Sequence, residues 1–291
     1  MTPQESADAR VFSPGDIPGA YAFCGRVAGR QYGNFPVASR LVSRRLRPHM
    51  DALCAFVVVV RDFATAREFE GVRRERLLDW RRQLGGGQAA QPVLLALGET
   101  LRTLRLPVEL CDEMIGAALQ DIEKTRYATY EELQDYCRRC ANPGGRLVLM
   151  MHGYRDEGLF RFCDALCTGL RLAGFWQDLS SDLSRDRIYI PEEDFRAHGY
   201  SEADLRMGVC NERFRELMKF QVNRARALLE QARPLPGKLR WPLSWEARVT
   251  WYGGREVLRQ IRKLGFDTMA RRPVLQRWDW LPLILRTVLQ P

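Results

Sequence analysis

The chain has 291 residues, 46% hydrophobic and 28% charged, a balance that excludes a disordered tail, a collagen-like polymer and a low-complexity repeat. Its 45 basic residues outweigh 36 acidic ones for a formal charge of +9; only Lys124, Lys219, Lys238 and Lys263 are lysines, and arginine in such excess fits anionic partners as well as it fits a GC-rich gene. The longest apolar run, Ala52 to Val60, stops at Arg61 and Asp62, well short of the about 20 residues of a membrane span.

Met1-Thr2-Pro3-Gln4-Glu5 has neither the basic start nor the apolar stretch of a secretory signal. A cytoplasmic location is therefore expected, where thiols stay reduced and eight cysteines build no disulfide scaffold. Apolar residues then recur at three- and four-residue spacing, while the alternation of strands is weak. The predicted helices are Pro48–Ala66, Val72–Leu84, Pro92–Leu104, Val108–Glu123, Tyr130–Ala141, Gly145–His152, Phe160–Leu183, Ser201–Ala232, Trp245–Leu264 and a short one near Trp280–Leu289. Thr129 ahead of Glu131 and Glu132 has the form of an N-cap, and Gly85-Gly86-Gly87 ends a helix. Pro234-Leu235-Pro236-Gly237 is a further break, but the segment after it is too short and too arginine-rich to build a core of its own. The expectation is an all-α, single-domain chain.

Within Phe175-Trp176-Gln177-Asp178-Leu179-Ser180-Ser181-Asp182, two aspartates stand four apart. On a helix both carboxylates project from one face. They can share Mg²⁺, which takes one or two carboxylates together with substrate phosphates; the other reading is a solvated face of Asp–Arg pairs. Cys137-x-x-Cys140 and Cys163-x-x-x-Cys167 have spacings seen in zinc sites, but they lie in helical patterns and read as small buried thiols. His49, His152 and His198 are isolated, and neither a phosphate-binding glycine loop nor a GxSxG elbow is present. Basic residues are spread along the chain rather than gathered on a nucleic-acid module, so no nucleic-acid partner is expected.

Gln31-Tyr32-Gly33-Asn34-Phe35-Pro36-Val37-Ala38-Ser39-Arg40-Leu41 and the adjoining Arg44-Arg45-Leu46-Arg47-Pro48 resemble the squalene/phytoene synthase family, most of all the bacterial hydroxysqualene synthases of hopanoid biosynthesis. The resemblance continues through Gln120-Asp121, Thr125-Arg126-Tyr127-Ala128-Thr129, Tyr136-Cys137-Arg138-Arg139 and the Asp178 to Pro191 segment, and ends with Gly265-Phe266-Asp267 and Arg272-Pro273. It implies an isoprenoid-synthase helical bundle around a central cavity, with residues 1–20 an N-terminal extension and residues 21–291 the domain. It also implies a prenyl diphosphate substrate, Mg²⁺ as cofactor and neighbouring hopanoid-pathway enzymes as partners. Carried over by position, Asp178 and Asp182 are metal ligands with Asp62. Arg187 and Tyr189 trail them, Tyr32 and Asn34 meet the diphosphate, and Tyr136 is a tyrosine of the cavity.

The first aspartate-rich motif departs from the family's YAFxRxxDDxxD pattern. Only Asp62 of its three aspartates remains, because Arg61 and Thr65 hold the other two positions, and Val58 replaces an arginine. Gly174 stands where an asparagine is usual. Arg61 would repel a cation placed beside it, which leaves two readings. In one, Arg61 meets the diphosphate directly, Asp178 and Asp182 keep the remaining Mg²⁺, and the enzyme converts presqualene diphosphate to hydroxysqualene. In the other, a degenerate paralogue binds a prenyl diphosphate or a partner enzyme without turnover. Trp278-Asp279-Trp280-Leu281-Pro282-Leu283-Ile284-Leu285-Arg286 reads either as core packing or as an interfacial segment giving peripheral contact with the inner membrane.

Overall fold

The computed structural model describes residues 16–31, 42–86 and 91–274. Tyr32, Asn34, the run Trp278–Arg286 and the expected helix near Trp280–Leu289 lie outside the described residues. Within them the fold is all-α, with no strand. In chain order the helices are α1 (Ile17–Gln31), α2 (Arg47–Thr65), α3 (Arg73–Leu84), α4 (Pro92–Leu104), α5 (Glu109–Glu123), α6 (Tyr130–Cys140) and α7 (Asn142–Met151). Next come α8 (Glu157–Gln177), α9 (Leu179–Leu183), α10 (Glu192–Ala197), α11 (Glu202–Arg206), α12 (Glu212–Gln231), α13 (Leu235–Lys238) and α14 (Leu243–Lys263). None of these helices is long and apolar enough to cross a membrane. They gather into two compact units, one holding residues up to Glu123 with Pro143–Arg155, the other Lys124–Asn142 with the residues from Asp156 on.

In the first unit α2 is the centre, packed on α1, α3, α4 and α5. Its sequence explains this: Ala52, Leu53, Ala55, Phe56, Val58, Val59, Val60, Phe63 and Ala64 are all buried, leaving Val57 and Arg61 on the narrow open strip. Phe63 meets Phe69 edge-on at 4.8 Å and Trp80 at 5.2 Å, fixing α3 against α2. Tyr21, His49 and the fully buried Thr100 close a triangle of hydrogen-bonding contacts at 3.0 to 3.1 Å that ties α1, α2 and α4 together. Pro48 and Pro92 sit in the first turns of α2 and α4, where a missing N–H costs nothing.

In the second unit α8 packs on α12 and α14. Two glycines permit the approach: a Cβ at Gly169 would meet Leu229 Cδ2 at 3.0 Å, and one at Gly254 would meet Leu170 Cδ2 at 2.5 Å. The helix starts are capped by side chains. Thr129 Oγ1 accepts from the Glu132 N–H at 3.2 Å, as its place in the sequence predicts, and Asp156 and Asn211 do the same for α8 and α12.

Three expectations need correction. The single helix predicted over Phe160–Leu183 begins at Glu157 and breaks at Asp178, whose backbone leaves helical geometry (φ −99°, ψ 11°) before α9 resumes. The helix predicted over Ser201–Ala232 is two, α11 and α12, divided at Gly208, whose φ of +69° is left-handed and suits glycine. Helix α1 is absent from the expected elements; it carries Gly19, Gly25 and Gly29, none of which adopts a positive φ. It runs across residue 20.

Candidate functional site

The paired aspartates stand at the C-terminal end of α8. Although the helix breaks between them, the Asp182 N–H still donates to the Asp178 carbonyl at 2.9 Å, so they remain one turn apart. The Arg187 N–H in turn donates to the Asp182 carbonyl at 2.9 Å, across a turn in which Asp186 takes a left-handed φ of +58°. Such a conformation is costly for a residue other than glycine, and Arg126 holds it. Its Nη1 donates to the Asp186 carbonyl at 2.6 Å and its Nη2 to the Asp186 carboxylate at 2.8 Å, while Glu202 takes two more of its N–H groups. Arg206 and Arg126 together hold the Asp186 carboxyl below the usual carboxylate range.

Beyond that turn, residues 187–193 run beside residues 125–128. Ile188, Glu192 and Glu193 donate their N–H groups to the carbonyls of Thr125, Tyr127 and Ala128 at 2.9 to 3.1 Å. This pairing sets Tyr127 against Tyr189 with ring centres 5.9 Å apart. Phe175 stacks on Tyr189 at 3.7 Å, and Tyr136, projecting from α6, lies 6.0 Å from Tyr189 and 6.2 Å from Phe175. Four aromatic rings thus form one buried wall beside the end of α8. Arg171 lies over Phe175, its guanidinium carbon 4.4 Å from the ring centre, and donates from Nη2 to the Tyr136 hydroxyl at 3.4 Å.

On α8, Arg171, Gly174 and Asp178 succeed one another at three- and four-residue spacing and so share a face, and a Cβ at Gly174 would find nothing within 4 Å. The glycine leaves open room where the family carries an asparagine. Arg187 is buried at 8% exposure, whereas Asp178 is 37% exposed. Asp178 Oδ1 accepts from Arg272 Nε at 2.5 Å, and the next residue, Pro273, accepts from Gln177 Nε2 at 2.5 Å. The sequence marks Arg272-Pro273 as a motif without revealing its partner. It gives no sign of Arg171 or of the part Phe175 plays, because an arginine and a phenylalanine at helical spacing carry no signal of their own.

The remnant of the first motif lies in the first unit, on α2. Arg61 donates to Asp62 Oδ1 from Nε at 3.2 Å and from Nη2 at 2.9 Å, with side-chain exposures of 53% and 28%. Thr65 Oγ1 donates to the Arg61 carbonyl at 2.9 Å, so its hydroxyl serves the last turn of its own helix. Val58, in place of an arginine, is buried core.

Among the described residues no three His, Cys, Asp or Glu side chains gather as a metal-binding group. At Asp62 the residues do not fit Mg²⁺, since the adjacent guanidinium already compensates the lone carboxylate. At Asp178 and Asp182 two hard oxygen donors one turn apart would suit a cation that completes its shell with phosphates and water, once Arg272 gives up the Asp178 oxygen it now holds. The cysteine pairs have no such chemistry. Cys137 is fully buried, and the neighbouring Cys140 and burial push its thiol well above its ordinary range.

Residues 28–279 match the model of the family described as squalene/phytoene synthase. The chain belongs to the squalene/phytoene synthase family. Among curated members of this family, a hydroxysqualene synthase of Zymomonas mobilis is 31% identical over 210 residues, 70% of each chain. A phytoene synthase of Arthrospira platensis is 27% identical over 286 residues, 91% of each. Among solved structures, squalene synthase HpnC from Alicyclobacillus acidocaldarius superposes with a TM-score of 0.80 at 35% identity, covering 88% of this chain and 97% of the other. The fold is therefore the all-α isoprenoid-synthase fold of squalene synthases, and the family's members process prenyl diphosphates.

Proposed function

We propose that this protein ionises presqualene diphosphate and captures the rearranged cation with water, giving hydroxysqualene. The observation that carries the reading is the conjunction at the end of α8. Two carboxylates one turn apart adjoin, through Phe175 and the Arg187–Tyr189 segment, a wall of stacked aromatic rings. A diphosphate leaves carbon only if its charge is neutralised, and the cation it leaves behind needs an electron-rich, water-poor surface. Asp178 and Asp182 would hold Mg²⁺, which would supply positive charge to the departing diphosphate. Arg187 and Arg61 bind phosphate oxygens through planar donors, joined by Tyr32 and Asn34. Tyr136 and Tyr189 present their ring faces to the cation. Water then adds to the cation and loses a proton, so no nicotinamide reductant is needed.

A second reading, a protein that binds prenyl diphosphate or a partner enzyme without turnover, draws on two ion pairs. Arg61 compensates Asp62 and Arg272 compensates Asp178, leaving less carboxylate charge for metal. The phytoene synthase relatives make a substrate panel necessary. Incubation with Mg²⁺ and, separately, farnesyl, geranylgeranyl and presqualene diphosphates should yield hydroxysqualene from presqualene diphosphate alone. Phytoene from geranylgeranyl diphosphate would overturn the assignment, and unchanged substrate in all three would favour the second reading.

A further inference from the structure

In the second unit, α12 and α14 flank an open groove of about 1480 Å³ lined by eight basic side chains and four glutamates. The basic residues keep a seven-residue spacing on both helices: Lys219, Arg226 and Arg233 on one wall and its continuation, Arg248, Arg255 and Arg262 on the other. Seven residues are close to two helical turns, so Lys219 and Arg226 share one face of α12 and Arg248, Arg255 and Arg262 share one face of α14 over about 21 Å, while Arg233 follows in the turn after α12. Lys219 pairs with Glu216 and Arg255 with Glu230, but Arg226, Arg233 and Arg262 make no side-chain ion pair among the described residues. A single-sign surplus concentrated in a concavity attracts anions more strongly than the same charges scattered.

A second feature adjoins one end of this groove. The connection between α12 and α14 lines the groove at Arg233, Pro234, Pro236 and Gly237, then continues through Lys238 and Arg240 to Trp241. From Gln231 to Trp245 it contains no acidic residue. Trp241 is 71% exposed and makes no ring contact among the described residues, although an indole this exposed forfeits most of its apolar burial. Lys238 lies against Phe162, with Nζ 6.0 Å from the ring centre. An unburied tryptophan that follows Lys238 and Arg240 in sequence on a proline-containing turn suits the boundary of an anionic bilayer, where the indole enters the acyl region and basic groups meet phosphate headgroups.

We propose that the α12–α14 turn is a docking surface for an anionic bilayer, with Trp241 inserted at the lipid interface and Arg233, Lys238 and Arg240 on the headgroups, backed by the cationic groove. An acidic protein would satisfy the groove, but it gives no reason for the bare indole; a bilayer uses both. The proposal does not depend on the reaction assigned above, because its readout is partitioning rather than turnover.

The test is co-sedimentation of the full chain with vesicles of phosphatidylcholine, alone or with a third of phosphatidylglycerol, at low and high salt. The expected result is binding only where phosphatidylglycerol is present, weakened by salt. Trp241→Ala should lower partitioning about tenfold, and Lys238→Ala and Arg240→Ala about fivefold each. Met207→Ala, an equally exposed apolar residue elsewhere, should leave it unchanged. The changes at Met207, Lys238, Arg240 and Trp241 fall on exposed side chains, and circular dichroism verifies that each variant is folded. No binding to anionic vesicles at low salt would overturn the proposal. So would binding that survives the Trp241, Lys238 and Arg240 changes together, binding lost only with Trp280→Ala, or capture by polyglutamate that vesicles cannot compete away.

Discussion

At position 61 a guanidinium stands where the family's pattern has a carboxylate, and it has turned onto the one aspartate left beside it. An exposed pair of this kind is worth little to stability, so Arg61 can reorient toward a phosphate at low cost. Arg61→Ala should lower kcat/KM for presqualene diphosphate about 10²- to 10³-fold with an unchanged melting temperature; full activity would show that Arg61 only neutralises Asp62. Arg272 is ion-paired with Asp178, and on the function proposed above it would compete there with metal. Arg272→Gln should lower the half-saturating Mg²⁺ concentration by up to about fivefold, and a rise would mean that Arg272 contacts substrate instead.

Glu246 offers a test of stability that leaves the site alone. Burial pushes its carboxyl up to about 7 from an ordinary 4.5, and its Oε1 is buried without a hydrogen-bond partner. The unfolded chain ionises first, so the stability contributed by the protonated carboxyl is complete below about pH 4.5 and is lost as the pH rises through about 7. Discounted for partial contact with water, Glu246→Gln should stabilise the protein by about 1 to 2 kcal/mol above that range and leave it unchanged below pH 4.5. Thermal melts across the range read this directly; an equal gain at every pH would contradict the titration.

Among the elements, α8 and α14 cross closely at Gly254. Gly254→Val places a branched side chain where even a Cβ would lie 2.5 Å from Leu170 and should cost about 1 to 3 kcal/mol in denaturant unfolding. Gly116→Ala in α5, with nothing within 4 Å, should instead gain up to about 1 kcal/mol. The same contrast explains what was legible in sequence. Helices with an apolar stripe and a side-chain cap, such as α6 behind Thr129, can be read from spacing alone. Helix α1 cannot, because glycine signals a turn unless one knows that Gly25 faces Asp51 across a helix contact. The turn at Asp186 was illegible for a related reason: it depends on Arg126 and Glu202, which meet it only in the fold. The spacing of Asp178 and Asp182 could be read directly, whereas the aromatic wall could not, since its rings come from α6, α8 and two extended segments.

For the whole molecule, the family and its fold stand on matches that span most of the chain, and what distinguishes this member is a shift of charge. One aspartate-rich motif has become an arginine-bearing, metal-poor face, while the other keeps both carboxylates. On the function proposed above, metal-assisted ionisation would fall to Asp178 and Asp182. The most direct measurement is single-turnover conversion of presqualene diphosphate with saturating Mg²⁺, comparing the parent with Asp178→Asn/Asp182→Asn and with Asp62→Asn. The parent should give hydroxysqualene, the double variant should lose about 10²-fold or more, and Asp62→Asn should lose much less. A parent that releases no diphosphate under conditions in which an intact relative turns over, or a double variant as fast as the parent, would contradict this division of roles.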